Sequence, residues 1–188
     1  MRKTRDSLLL VGFVVCSLLA GCIHRGQISG KLYFEPPARL IEDYTGMVEV
    51  DELNWAWTKP GFRMSSYGNL TLKPMSNFTG IEDSTIPARI YEGLTAWCEQ
   101  AGLKLSDDGQ ITFEGAIVAL HTERSFLQKI NPFREDGNDF LLEAEFIIKE
   151  MPTQNTLCKI RHGVTALQSD QLASLLVSGL ARYFDAHK

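Results

Sequence analysis

Residues 111–119 read ITFEGAIVA, and residues 140–148 read FLLEAEFII. In both stretches large apolar residues recur at every second position, which is typical of a β-strand with one face against a core. Residues 158–164 repeat the pattern, with inner positions at Cys158, Ile160, His162 and Val164. These three segments predict the long strands of a sheet around which the rest of the chain is organised.

Two segments show helical spacing instead. Residues 84–101 place Ile90, Leu94 and Trp97 on one helical face. A second segment starts at Ser169, a good N-cap residue, and its apolar stripe consists of Leu172, Leu175, Leu176, Gly179, Leu180, Tyr183 and Phe184. A single wide apolar stripe predicts a helix that packs on a sheet.

The order of these segments defines the predicted fold. A short strand at residues 69–75 precedes the first helix, and the three longer strands and the last helix follow. Turn residues between the later strands favour antiparallel hairpins. We therefore predict an α+β fold, with a mainly antiparallel sheet of about four strands and two helices packed on one face.

The N-terminal 21 residues have the features of a secretory signal. Three basic residues lie among the first five, and a mostly apolar run of 13 residues follows at 8–20. A membrane-spanning helix needs roughly 20 apolar residues, so this run is too short to be one. A basic head, a short apolar run and a small-residue end predict a cleaved signal.

The signal ends in Leu19-Ala20-Gly21-Cys22, which resembles the lipobox of bacterial lipoproteins. The resemblance implies that Cys22 carries a diacylglycerol group and fatty acyl chains, and two or more chains hold a protein stably on a membrane. Ile23 stands where an aspartate favours inner-membrane retention in enterobacterial lipoproteins. The implied location is the outer membrane, facing the periplasm. The alternative is ordinary secretion with cleavage elsewhere.

The remaining chain divides into a tether and a domain. Residues 23–45 hold no sustained period and contain Gly26, Gly30 and the pair Pro36-Pro37. A flexible coil of this length spans roughly 25 to 30 Å. The predicted organisation is a signal peptide at 1–21, a lipidated tether at 22–45 and a single α+β periplasmic domain at 46–188.

The charge of the chain limits the partners that it can have. Residues 22–188 hold 16 basic and 22 acidic residues. Nucleic-acid binding needs clustered Lys and Arg, so this balance argues against a nucleic-acid partner. It also argues against an electrostatic grip on anionic lipid headgroups. The membrane is therefore expected as a partner through the lipid anchor alone, together with an envelope protein of unknown identity.

The sequence shows no catalytic constellation. Its four histidines are scattered, and none has a second ligand at the spacing of a metal site. Gly-x-Ser-x-Gly, Walker and dinucleotide-binding fingerprints are absent from it. We predict that the protein is not an enzyme, with no catalytic residue, no metal site and no cofactor beyond the lipid on Cys22.

Two further groups of residues allow alternative interpretations. Trp55, Trp57 and Phe62 lie in an aromatic, turn-rich segment and either form a partner surface or cover the end of the sheet. Cys98 and Cys158 are the two cysteines beyond Cys22, an even pair in an oxidising compartment. They form either a disulfide or two separately buried thiols.

Several short motifs resemble uncharacterised bacterial outer-membrane lipoproteins. They are Asp43-Tyr44-Thr45-Gly46, Ser65-Ser66-Tyr67 and Leu70-Thr71-Leu72-Lys73-Pro74, followed by the first helix. The order of elements is also loosely similar to LptE-like lipopolysaccharide-assembly accessories and to auxiliary lipoproteins of ABC transporters. The resemblance implies a non-catalytic binding or assembly accessory of the cell envelope. The alternatives are a structural or peptidoglycan-associated lipoprotein and, last, a periplasmic enzyme.

Overall fold

The computed structural model describes residues 39–82, 85–123 and 139–186. Residues 35–188 form one compact unit, and residues 1–34 lie outside the described residues. The predicted signal peptide, Cys22 and the tether up to residue 38 therefore lie outside the described part of the chain.

The described residues form seven strands and two helices. The strands are β1 (Val48–Val50), β2 (Leu53–Thr58), β3 (Leu70–Leu72), β4 (Ser76–Asn77), β5 (Ile111–Glu123), β6 (Asp139–Glu150) and β7 (Thr156–Ala166). The helices are α1 (Thr85–Gln100) and α2 (Leu172–Ala186), and short 3-10 turns occur at Met64–Ser66 and Ser169–Gln171.

All seven strands belong to one sheet, in the order β1-β2-β7-β6-β5-β3, with β4 also paired to β5. Strands β5, β6 and β7 form an antiparallel meander, and β2 pairs antiparallel with β7. Strands β3 and β4 run parallel to β5, because α1 lies between them and β5 and provides the crossover that parallel pairing needs.

The predicted α+β class and the two helices are confirmed, but the predicted sheet is wrong in part. The sheet is mixed and has seven strands instead of about four. The strand predicted at residues 69–75 is present as β3, which spans only Leu70–Leu72. Strands β1 and β4 are three and two residues long, too short to show a period in the sequence. Strand β2 lies inside the aromatic segment that sequence alone describes as turn-rich.

One apolar core fills the space between the sheet and both helices. Phe184 of α2 joins the three parts, since its ring lies 5.4 Å from that of Trp97 on α1 and 5.8 Å from that of Phe113 on β5. The predicted stripe of α2 is buried in the core, except that Leu175 is 43% exposed. Both helices therefore share the inner face of the sheet.

The opposite, outer face of the sheet is covered in part by residues 39–47, which we call the strap. Ile41 of the strap is only 1% exposed, and a turn closes the strap where the Met47 amide donates to the Tyr44 carbonyl at 3.1 Å. Residues 39–45 belong to the stretch predicted as tether, and in the structure they lie against the sheet. Among the described residues, none of the helices has the length and apolarity needed to cross a membrane.

Candidate functional site

The outer face carries a row of charged and aromatic side chains that strand register brings together. Arg161 of β7 pairs with Trp55 of β2 on one side and with Glu145 of β6 on the other. Glu145 in turn lies opposite Ala116 of β5. Directly paired residues share a face of the sheet, so an indole, a guanidinium and a carboxylate lie side by side across three strands.

Glu145 is fully buried, and most of its partners come from the strap. Its Oε2 accepts the backbone amides of Leu40 at 2.9 Å and Ile41 at 3.0 Å. Its Oε1 accepts the hydroxyl of Tyr44 and lies 3.8 Å from Nη1 of Arg161. A buried carboxylate is stable only when it is paired and hydrogen-bonded. Glu145 therefore fixes the strap on the sheet, and the strap supplies the hydrogen-bond donors that the buried carboxylate needs.

Two guanidinium groups lie near the ring of Tyr44. Cζ of Arg39 is 5.6 Å and Cζ of Arg161 is 5.9 Å from the centre of its ring, both within the range of a cation–π contact. Burial, and next its hydrogen bond to Glu145, raise the pKa of Tyr44 above the ordinary value of a phenol. The hydroxyl therefore stays protonated and keeps donating to Glu145.

A second set of contacts fixes the far end of the strap. Lys159 donates to the carbonyl of Asp43 at 2.6 Å, and its Nζ lies 5.4 Å from the ring centre of Trp57. Gly46 has a φ of 81°, and a Cβ there would come within 3.0 Å of the Trp57 ring. The strap therefore turns at Gly46 directly over Trp57, and this tight contact favours glycine.

An open groove of about 530 Å³ lies between the strap and the ends of β2 and β7. Its lining residues are Arg39, Tyr44, Met47, Asn54, Trp55, Glu143, Arg161 and Gly163. Trp55 is 46% exposed. Glu143 accepts from Nη2 of Arg161 at 2.6 Å, and Oδ1 of Asn54 accepts the Gly163 amide of β7 at 2.5 Å. The groove thus combines an accessible indole with groups of both charges.

The three predicted surface aromatics do not form one surface. Trp55 lines the groove, whereas Trp57 is half-buried beneath the turn of the strap. Phe62 packs against the core and lies 5.9 Å from the ring of Tyr67. Of the three, Trp55 alone occupies a position suited to contact a ligand or partner.

Cys98 and Cys158 are free thiols, and both are buried. Burial raises the pKa of each to about 12, so both stay protonated at neutral pH. Cys158 lies 3.4 Å from the hydroxyl of Thr58. Among the described residues, no group of three or more His, Cys, Asp or Glu side chains is placed to hold a metal ion.

His162 lies on the inner face, where the strand pattern predicts it, and is 7% exposed. Its Nδ1 is 3.2 Å from Oδ1 of Asn54, whereas its Nε2 has no hydrogen-bond partner among the described residues. The ring fits against Gly179 of α2, because a Cβ at that position would overlap Nε2. Burial, and next the charge of Arg182, lower the pKa of His162 to about 4.

The sequence alone did not identify Glu145, Tyr44 or Arg161 as site residues. Glu143 and Glu145 alternate with apolar residues on β6, which marks both as facing outward but does not distinguish the buried one. The burial of Glu145 comes from amides about a hundred positions away in the chain. No local signal in the sequence carries that information.

No protein-family model and no curated protein matches this chain. Solved structures that resemble it include the PelC dodecamer from Paraburkholderia phytofirmans, at 9% identity and a TM-score of 0.49, covering 68% of this chain and 91% of that chain. Lipoprotein GNA1162 from Neisseria meningitidis has 9% identity and a TM-score of 0.46, covering 63% and 99%. Protein XCC0632 from Xanthomonas campestris, of family DUF330, has 8% identity and a TM-score of 0.43, covering 69% and 85%. Similarity at this level does not place the chain in a family.

Proposed function

We propose that the protein is a lipid-anchored, non-catalytic binding or assembly accessory of the bacterial cell envelope, facing the periplasm from the outer membrane. The Leu19-Ala20-Gly21-Cys22 motif supports the anchor. The groove beside the strap supports the binding role, because it is concave, accessible and lined by an indole and several polar groups.

The observation that carries this proposal is that the strap forms part of the groove. Arg39, Tyr44 and Met47 belong to the strap and form one wall of the groove, and the strap is the segment that follows the predicted lipid tether in the chain. The part of the domain connected most directly to the anchor is therefore also part of its candidate binding site. This arrangement is suited to a binding protein that works at a membrane surface.

The chemistry of the groove favours binding over catalysis. A general base needs a pKa near the working pH and access to the substrate. Glu143 is engaged by Arg161 at 2.6 Å, Glu145 is fully buried by the strap, and the pKa of Tyr44 is raised. These groups are therefore suited to hold structure and to contact a ligand.

The anchor is tested by changing the lipobox. Cys22→Ser should abolish incorporation of labelled palmitate and leave unprocessed precursor, whereas Ile23→Asp should keep the label and shift the protein towards the inner membrane. Equal palmitate incorporation in the Cys22→Ser chain would refute lipidation. Unchanged membrane fractionation of the Ile23→Asp chain would refute the sorting argument.

The binding role is tested by site-specific photo-crosslinking in intact envelopes. A photoreactive amino acid in place of Trp55 should give a discrete crosslinked product, because this side chain is exposed in the groove. The matched control is the same amino acid in place of Leu175, which is 43% exposed on α2. The same products from both positions would show that the groove has no special role.

A further inference from the structure

We infer that the groove takes the zwitterionic headgroups of phospholipids, an ammonium or quaternary amine joined to a phosphate, in the membrane that holds the anchor. This inference rests on the lipid anchoring proposed above. It names what the groove contacts when the domain lies against its own membrane.

The first argument is the place where the chain enters the domain. Arg39 is the first described residue, and it lines the groove. Cys22 precedes it by 17 positions, so the lipid and the groove are separated by at most about 60 Å of fully extended chain. A lipid on Cys22 would therefore keep the groove within this distance of the membrane.

The second argument is a positive charge that has no carboxylate partner among the described residues. Four other basic residues of the outer face have carboxylate partners, namely Lys73, Lys149, Lys159 and Arg161. Arg39 has no ion-pair partner among the described residues, and its guanidinium lies over the ring of Tyr44. Guanidinium groups bind phosphate oxygens well through their planar set of donors. Arg39 is thus available for the phosphate of a headgroup.

The third argument is that the groove also offers negative charge. Oε2 of Glu143 binds Arg161, and its other oxygen can accept from an ammonium group or face a quaternary amine. A site with one available cation and one available acceptor matches a zwitterionic headgroup better than an anionic one. This agrees with the acidic balance of residues 22–188, which opposes attraction to an anionic surface.

The fourth argument is the exposed indole beside these charges. Trp55 is 46% exposed on the groove. Tryptophan is enriched where a protein meets the headgroup region, because its ring is apolar and its N–H is a donor. Trp55 therefore supplies the apolar contact, and Arg39 and Glu143 line the same groove.

The test uses vesicles and a chain without its acyl groups. Residues 35–188 form a compact unit, so a leaderless chain from residue 22 with Cys22→Ser keeps the domain and removes both the signal and the lipid. The chain is mixed with vesicles of phosphatidylethanolamine and phosphatidylcholine, and the bound fraction is measured by flotation. We expect measurable binding that does not increase when phosphatidylglycerol is added.

Variants in the same chain locate the contact. Arg39→Gln should lower the partition coefficient roughly tenfold, as expected for the loss of one charge-assisted hydrogen bond, and Trp55→Ala should lower it as well. Arg63→Gln is the matched control, because Arg63 is exposed outside the groove, and it should leave binding unchanged. Circular dichroism verifies that each variant is folded.

Three results would overturn the inference. They are a lack of flotation with zwitterionic vesicles, binding that requires phosphatidylglycerol, and equal loss of binding in the Arg39 and Arg63 variants. Because this chain carries no acyl groups, these results are independent of palmitate labelling. Failure of the anchor and failure of the headgroup site are therefore distinguished.

Discussion

The stability of the domain should depend on pH through His162. Its pKa is lowered from 6.5 to about 4 by burial and by the charge of Arg182. Above pH 6.5 the ring is neutral in both the folded and the unfolded chain. As the pH falls below 6.5, His162 binds a proton in the unfolded chain, whereas in the folded chain it binds one only when the pH nears 4. The unfolded state then binds more protons, so the free energy of unfolding decreases as the pH falls through this window.

The size of this effect follows from the shift itself. A difference of about 2.5 pKa units corresponds to roughly 3 kcal/mol once the pH has fallen to about 4, at about 1.4 kcal/mol per unit. At pH 5 the loss due to His162 should be about 2 kcal/mol relative to neutral pH. That is a large share of the stability of a typical domain.

Urea denaturation followed by circular dichroism at pH 7.5 and pH 5 measures this loss. His162→Gln removes the titrating ring and should flatten the decrease relative to the unmodified chain. Carboxylates that titrate in the same range are common to both proteins and cancel in the comparison. If His162→Gln loses as much stability between the two pH values as the unmodified chain, the reasoning is refuted.

Three other predictions concern the strap, the core and the thiols. Glu145→Gln should lower the free energy of unfolding by roughly 3 kcal/mol and speed amide exchange in the strap, because it removes a fully buried carboxylate that accepts from the strap. Glu143→Gln, at 30% side-chain exposure, should lower it by less than about 1 kcal/mol. Equal losses in urea denaturation would contradict the role of Glu145. Leu176→Ala should cost roughly 2 to 5 kcal/mol, and Leu175→Ala, on the exposed side of the same helix, should cost less than about 0.5 kcal/mol. Both buried cysteines should resist alkylation in the folded protein and react after unfolding, since burial raises the pKa of each to about 12; a mass that shows a disulfide in the non-reduced protein would contradict this.

Sequence periodicity predicts the elements of this fold that have one buried face over a long stretch. Helix α1 and strands β5, β6 and β7 each repeat apolar residues over enough positions for the period to be evident. Strand β2 is different, because its buried positions are Leu53 and Ala56, three residues apart. An alternating pattern is therefore missing from β2, and its neighbour β1 is too short to have one.

The candidate site was less accessible to sequence analysis, for a physical reason. Trp55 is recognisable as an aromatic residue that suits a contact surface. Trp57 and Phe62 are aromatic residues in the same segment, but they pack against the strap and the core. What separates them is the strap, which covers Trp57 and leaves Trp55 open. That difference depends on contacts between segments far apart in the chain, which residue types alone do not encode.

The strap connects the stability of the domain with its candidate binding function. Arg39 and Tyr44 line the groove, and Tyr44 also donates to Glu145, which holds the strap on the sheet. A ligand that contacts both side chains makes all of its contacts only when the strap is docked on the sheet. Ligand binding and strap docking must therefore stabilise each other by the same free energy. A change at Glu145 should therefore weaken binding in the groove even though Glu145 does not line it. The buried carboxylate at the centre of the outer face thus acts on the groove through the strap that it holds.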